Sequence, residues 1–281
     1  MAELTTAMIT DLRARTNAGM MDCKKALQES NGDMDAAIKL LRERGQAIQV
    51  KRAAKEANQG IISAASAADS RAMALAEVNC ETDFVAKTDG FKQFVGAVAD
   101  KVLAGDEQVA ETMKDDLVAM VAATGENVKI RRVARYALAG TGRLESYIHM
   151  GGKVGVLVEL GCEKSTTVEN PAFVELIHDL ALQVAAAAPR WLDGTAVPAD
   201  VIANEKDIYR TQVEGKPANI IEKILEGKIK KFFGEVCLVD QVFVKDEAKT
   251  QTITALVASV AKKLDDKIVV RRFVRYQLGA A

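Results

Sequence analysis

Residues able to do chemistry are few in this chain, and their spacing narrows the chemistry further. The histidines are His149 and His178, and the cysteines are Cys23, Cys80, Cys162 and Cys237, far apart and without a CxxC pair. With that inventory a structural zinc site is not expected. Each cysteine sits in or beside an apolar segment, which predicts buried free thiols in a reducing compartment. Two lone histidines are poor material for a Ser-His-Asp triad, and no G-x-S-x-G elbow occurs. The chain has neither a G-x-x-x-x-G-K-[ST] phosphate loop nor a G-x-G-x-x-G fingerprint, so nothing indicates that it binds nucleotide itself. No catalytic residue, cofactor site or metal ligand is assigned. What remains is a carboxylate beside a large aromatic, Asp83-Phe84, on a connection. Connections lie at the surface, so a Phe there offers mechanical chemistry, a wedge into a partner. The competing reading has Thr82 or Asp83 capping a turn while Phe84 folds back into the core.

Two further groups bear on partners. The pairs Arg131-Arg132 and Arg271-Arg272 are able to bind phosphates, but arginines alternating across a strand are more often surface ion pairs. A single Trp191 without clustered aromatics argues against a stacking platform for bases. The 38 basic and 39 acidic residues leave a net charge of −1. A general nucleic-acid binder carries a basic excess, so a protein partner is expected. Met1-Ala2-Glu3-Leu4 lacks signal-peptide character. The longest apolar run, near Val184 to Pro189, is too short to span a bilayer. The expectation is a cytoplasmic protein without direct nucleic-acid or membrane binding.

The elements that must position Asp83-Phe84 are an apolar strand, Ala72 to Val78, running in, and a helix starting near Phe91, running out. At 49% hydrophobic and 27% charged, the 281 residues support one or more globular cores. Residues 1–45 read as three helices. Thr5 or Thr6 caps the first, Asp22 the second and Asp33 the third, with Met34, Ala37, Ile38 and Leu41 on one face and Gly45 as the stop. Met20 and Met21 fall on or near a turn, either as core filler or as an adaptable docking surface. Residues 46–60, with Lys51, Arg52 and Lys55, read as a solvated helical linker.

From Ile61 onward the chain repeats. Ile61–Ala68 and Ala72–Val78 form one hairpin, Ser146–Met150 and Val154–Leu160 another. The offset is 162 − 80 = 82 for the cysteines and 173 − 91 = 82 for the helix phenylalanines. Each copy closes on a strand, Arg131-Arg132-Val133-Ala134-Arg135-Tyr136 and Arg271-Arg272-Phe273-Val274-Arg275-Tyr276, offset by 271 − 131 = 140. The second copy therefore carries an insertion of 140 − 82 = 58 residues. Within it, 198–233 reads as two helices around Glu214-Gly215-Lys216-Pro217, an antiparallel coiled-coil arm. The fold class is α+β: a three-helix module, a duplicated core (61–140 and 141–281) of small antiparallel sheets with helices, and the arm. Where copy one has Asp83-Phe84, copy two has Ser165-Thr166. A Phe84 filling a core shared by both copies would have an apolar counterpart, which raises the wedge reading level with the core reading.

Three stretches, Thr16-Asn17-Ala18-Gly19-Met20-Met21-Asp22-Cys23-Lys24-Lys25-Ala26-Leu27, Asn79-Cys80-Glu81-Thr82-Asp83-Phe84-Val85-Ala86-Lys87 and Ser146-Tyr147-Ile148-His149 with Gly155-Val156-Leu157-Val158, resemble bacterial translation elongation factor Ts. Asn17 stands where that family has a glycine. The chain ends soon after its last strand, so the C-terminal helical module of longer members is expected to be missing. The resemblance implies an exchange factor that binds elongation factor Tu with GDP, displaces Mg²⁺ and promotes GDP release, rather than an enzyme. It implies a ubiquitin-associated-like N-terminal module and a complex with elongation factor Tu, heterodimeric or of higher order. By motif match, Thr82, Asp83, Phe84 and Val85 displace the partner's magnesium, and Met20, Lys24, His149 and Val236 contact the partner. A rival expectation is a non-catalytic adaptor that binds helices of other proteins.

Overall fold

The computed structural model describes residues 4–16, 18–212 and 217–280. Asn17, Met1 to Glu3, and Glu214, Gly215 and Lys216 of the expected turn lie outside them. The chain groups into two compact units, residues 1–136 with 148–155 and 276–281, and residues 137–147 with 156–275. The tip of the second hairpin and the chain end thus group with the first unit rather than with 141–281.

The first unit opens with α1 (Thr6–Thr16), α2 (Met20–Glu29) and α3 (Met34–Arg52) around a core of Leu12, Cys23, Ala26, Leu27, Ala37 and Leu41. Thr5 Oγ1 accepts from the Met8 amide at 3.3 Å, and Asp33 caps α3 by accepting from Ala36 at 2.9 Å. Asp22 is not a cap. α2 begins two residues earlier, after Gly19, and Asp22 sits in its first turn, where a negative charge suits the helix dipole. Gly45 does not stop α3 either, and seven further residues, to Arg52, occupy half of the expected linker. The glycine serves a close approach to a later helix, at Val118 and Ala122. A Cβ at position 45 would lie 2.8 Å from the Val118 carbonyl oxygen and 3.0 Å from the Ala122 Cβ.

Next come β1 (Gln59–Ser66) and β2 (Ala72–Cys80), antiparallel with Ser66 opposite Met73 and Gln59 opposite Cys80. Their turn holds Ser70 at φ +55°. After β2 follow α4 (Asp83–Ala86), α5 (Asp89–Leu103), α6 (Val109–Thr112), α7 (Lys114–Thr124) and β3 (Lys129–Ala137), with sheet order β1-β2-β3. β2 is central and buried along nearly its whole length. The Phe91, Phe94, Val95, Val98 and Val102 stripe of α5 is buried, as its spacing predicts.

The plan is repeated on β4 (Gly142–His149), β5 (Val154–Cys162), α8 (Pro171–Ala187), α9 (Ala199–Thr211), α10 (Ala218–Val236), α11 (Ile253–Leu264) and β6 (Ile268–Gln277), most of which lies in the second unit, with sheet order β4-β5-β6. The duplication extends to single atoms. Gly60 and Gly142, 82 apart, both have φ in the left-handed range (+139° and +152°), and a Cβ on either would fall 2.1 or 2.2 Å from a carbonyl oxygen of the neighbouring strand. Glu77 and Glu159, also 82 apart, are fully buried carboxylates that accept from Arg132 Nε and Arg272 Nε, each at 2.7 Å. The arginine pairs are therefore not surface ion pairs, because the carboxylate each serves is fully buried. Glu77 also accepts from the Gly279 amide at 2.9 Å, and Glu159 from the Ala139 amide at 2.9 Å and Arg271 at 3.1 Å. Burial pushes the Glu159 carboxyl up, but the Ala139 amide and the two guanidinium groups outweigh it and hold the group below the ordinary glutamate value.

The insertion lies between α8 and α11. There α9 and α10 pack on each other, rooted by buried Val197, Phe232 and Cys237 with Trp191 beside them. No residue of α9 itself is buried.

Candidate functional site

β2 ends at Cys80, and the chain must turn before α5 can cover the sheet. Thr82 is extended (φ −122°, ψ 153°) and caps α4, its Oγ1 accepting from the Val85 amide at 3.3 Å. Four helical residues follow. Val85 and Ala86 face the core of the first unit, while Phe84 points out with 78% of its surface exposed. Both parts of the two readings hold in part: Thr82 does cap, and Phe84 does not fold back. At the equivalent place, copy two has only a 3₁₀ turn, Ser165–Thr167, whose Thr167 is buried.

Asp83 lies in the first turn of α4 and pairs with Lys87 at 2.6 Å, one turn on. The hydrogen bond from Lys87 is the main cause that holds the Asp83 carboxyl below the usual aspartate value, and the Lys153 charge acts in the same direction. Lys153 comes from the tip of the β4–β5 hairpin. There the His149 carbonyl accepts from Gly152 and Lys153, and Met150, Gly151 and Gly152 all have positive φ. The tip meets β1, with the Ile62 amide donating to the Gly152 carbonyl at 2.9 Å and Lys153 Nζ to Gln59 Oε1 at 3.2 Å. Gln59 is paired with Cys80, so the tip and α4 stand at the same end of the first hairpin.

The structure thus brings Thr82, Asp83, Phe84 and Val85 to one end of the first unit, together with the hairpin tip that carries exposed His149 and Met150. Met20 and Lys24 form a patch of their own on α2, one turn apart and both exposed. Met20 and Met21 are more than half exposed, so they are not core filler. Val236 belongs to the second unit. It ends α10, is half-buried in the root of the insertion, and its carbonyl accepts from the Arg190 and Trp191 amides. His178 is a surface residue, 3.3 Å from Glu145 and edge-on to Tyr147.

Sequence reasoning missed Glu126. It follows Gly125, the left-handed C-cap of α7, and its carboxylate reaches back to the start of the α4 turn. Oε2 accepts from the Glu81 amide at 3.1 Å and the Thr82 amide at 3.0 Å, and Oε1 accepts from Thr82 Oγ1 at 2.6 Å. Glu81 answers by accepting from the Asn127 amide at 2.7 Å and from Arg52 at the end of α3 at 3.0 Å. The repeat held the signal. At 266 − 126 = 140, Asp266 accepts from the Glu163 and Lys164 amides and from Thr167 Oγ1 at 2.6 Å. Near this network, burial and then the Glu126 charge push the Cys80 thiol up to about 12, which makes it inert. Among the described residues no group of His, Cys, Asp and Glu is placed to hold a metal ion, and no helix is long and apolar enough to cross a membrane.

A family described as Elongation factor TS matches residues 81–280. Similar proteins include the elongation factor Ts of Symbiobacterium thermophilum, 45% identical over 99% of this chain and 93% of that one. That of Trichlorobacter lovleyi is 43% identical over 98% and 93%, and that of Chloroherpeton thalassium 40% identical over 99% of both chains.

Proposed function

Because the chain belongs to the elongation factor Ts family, whose members are translation elongation factors that exchange nucleotide and perform no covalent chemistry, we propose that it is the cytoplasmic guanine-nucleotide exchange factor of elongation factor Tu. It binds the GDP form as a heterodimer or a higher assembly of such pairs. GDP is held in the partner in part by a Mg²⁺ ion bridging phosphate and protein oxygens. Phe84 wedges between helices of the partner's nucleotide domain, and Thr82, Asp83 and Val85 displace the groups that hold the ion. Phosphate charge is then uncompensated and GDP leaves. His149, Met20, Lys24 and Val236 add contact area. The three-helix module acts as a ubiquitin-associated-like docking unit, and the insertion as a coiled-coil arm.

The observation that carries this reading is an aromatic left 78% exposed on a turn whose other residues are fastened. A single aromatic anchor entering a partner pocket contributes on the order of 2–4 kcal/mol, and a thousandfold weakening of GDP needs about 4 kcal/mol of differential binding. The test is stopped-flow release of a fluorescent GDP analogue from elongation factor Tu at fixed Mg²⁺. Release should accelerate with rising concentration of this protein, and Phe84→Ala should remove most of the acceleration while still folding. Stable binding with no acceleration would instead make the protein an adaptor.

A further inference from the structure

We infer that Glu126 is a positioning residue for exchange: its carboxylate sets the Thr82–Val85 turn before the partner arrives, so that Phe84 is presented in one orientation. The inference rests on the exchange reading above and extends it to a residue outside the wedge motif. A helix as short as α4 cannot hold itself, since a first turn orders several residues for a single backbone hydrogen bond. The Phe84 side chain contributes little to fastening, because it is largely in solvent. Val85 and Ala86 anchor the far end of the turn in the core. The near end has Glu126, which takes three hydrogen bonds from Glu81 and Thr82 through two oxygens. Those bonds also orient Thr82 Oγ1. With its proton committed to Glu126, the hydroxyl oxygen is left free to accept from Val85. Glu81 braces the arrangement crosswise through Asn127 and Arg52. A wedge that is ordered in advance loses less conformational freedom on binding than one that must be ordered in the complex.

The repeat supplies the control. Asp266 makes the same kind of clamp on Glu163, Lys164 and Thr167, but the turn it holds carries no exposed aromatic. A clamp that only supports the fold should matter equally in both copies. A positioning clamp should matter to exchange in the first copy alone.

The experiment compares wild type, Glu126→Ala, Glu126→Gln and Asp266→Ala, each as the full chain. GDP-analogue release gives the maximal rate and the half-saturating concentration, melting gives stability, and amide hydrogen exchange is read at Glu81 and Thr82 without partner. Glu126→Ala is expected to lower the maximal rate about tenfold, with half-saturation changed by less than about threefold, and to speed exchange of both amides about tenfold. Asp266→Ala is expected to lose comparable stability and keep its maximal rate. Glu126→Gln retains shape and one accepting oxygen, falls between wild type and alanine, and decides the matter if the alanine variant does not fold. A folded Glu126 variant with full maximal rate, or an Asp266→Ala protein slowed as much, overturns the proposal. Amides that stay protected in the Glu126 variants overturn it without touching the exchange reading, whereas a wild-type protein that never accelerates release overturns the exchange reading and this role with it.

Discussion

Phe84 and Phe91 are seven residues apart and have opposite fates. Phe91 is fully buried under the first sheet, Phe84 is in solvent. Phe91→Ala should cost about 3–5 kcal/mol, as large-to-small changes in packed cores do, whereas Phe84→Ala should leave the denaturant midpoint nearly unchanged, because most of its surface is already in solvent. Equilibrium urea unfolding of both variants measures the contrast. Phe91 was legible from helical spacing and from its partner Phe173. Phe84 was only half legible: the lack of an apolar counterpart in Ser165-Thr166 pointed outward, but nothing local distinguishes a turn aromatic that folds in from one that does not. Glu159 makes a second prediction at this scale. Its pKa is lowered in the folded protein, so its contribution is fully present above the unfolded value of about 4.3 and is lost as pH falls through the folded value. Glu159→Gln should therefore cost about 3 kcal/mol near neutral pH, the order expected when a buried pair is broken. The gap to wild type should begin to narrow as pH falls below about 4.3 and keep closing as pH falls through the lowered folded value, read as urea midpoints across that range.

The elements were legible wherever one periodic face met one surface. The α5 and α8 stripes, the two hairpins and the closing strands follow from spacing alone, and the offsets of 82 and 140 place the insertion from the sequence. Gly45 shows where such reading stops. A glycine at the end of an apolar helical pattern signals a C-terminus, but the same residue permits close helix packing, and the choice depends on α7, some seventy residues away. The structure chooses packing, so Gly45→Val should overpack the α3–α7 contact at Val118 and Ala122. The expected cost is about 1–3 kcal/mol. Helix propensity works the other way by less than about 1 kcal/mol, so the net effect should be a lower melting temperature. A Gly45→Val protein as stable as wild type in calorimetry would mean that α7 gives way without cost. Glu126 was invisible at the same scale for a similar reason: its partners lie more than forty residues back, and only alignment with Asp266 across the repeat exposes it.

At the scale of the whole molecule, duplication explains what is shared between the copies and sets apart what is not. Both copies keep a glycine that lets two strands approach, a buried glutamate held by arginines, and a carboxylate that fastens the turn after the second strand. Such features meet constraints of the fold twice, and in the first copy alone the fastened turn also carries an exposed aromatic. Among the described residues the exposed aromatic occurs once, in the first unit, and the helical insertion once, in the second. An exchange function would draw on these asymmetries, and it carries a requirement beyond any single contact. Binding free energies around a closed cycle must balance. If this protein weakens GDP binding by elongation factor Tu about a thousandfold, then GDP must weaken this protein's binding by the same factor, a coupling of about 4 kcal/mol. Titration calorimetry of the partner, nucleotide-free and with saturating GDP, should give two dissociation constants whose ratio equals the ratio of GDP constants measured with and without this protein. Phe84→Ala should shrink both ratios together. If it lowers affinity equally for the two partner states and leaves the ratio unchanged, Phe84 is an anchor that binds without discriminating, and the displacement of GDP must originate elsewhere on the chain.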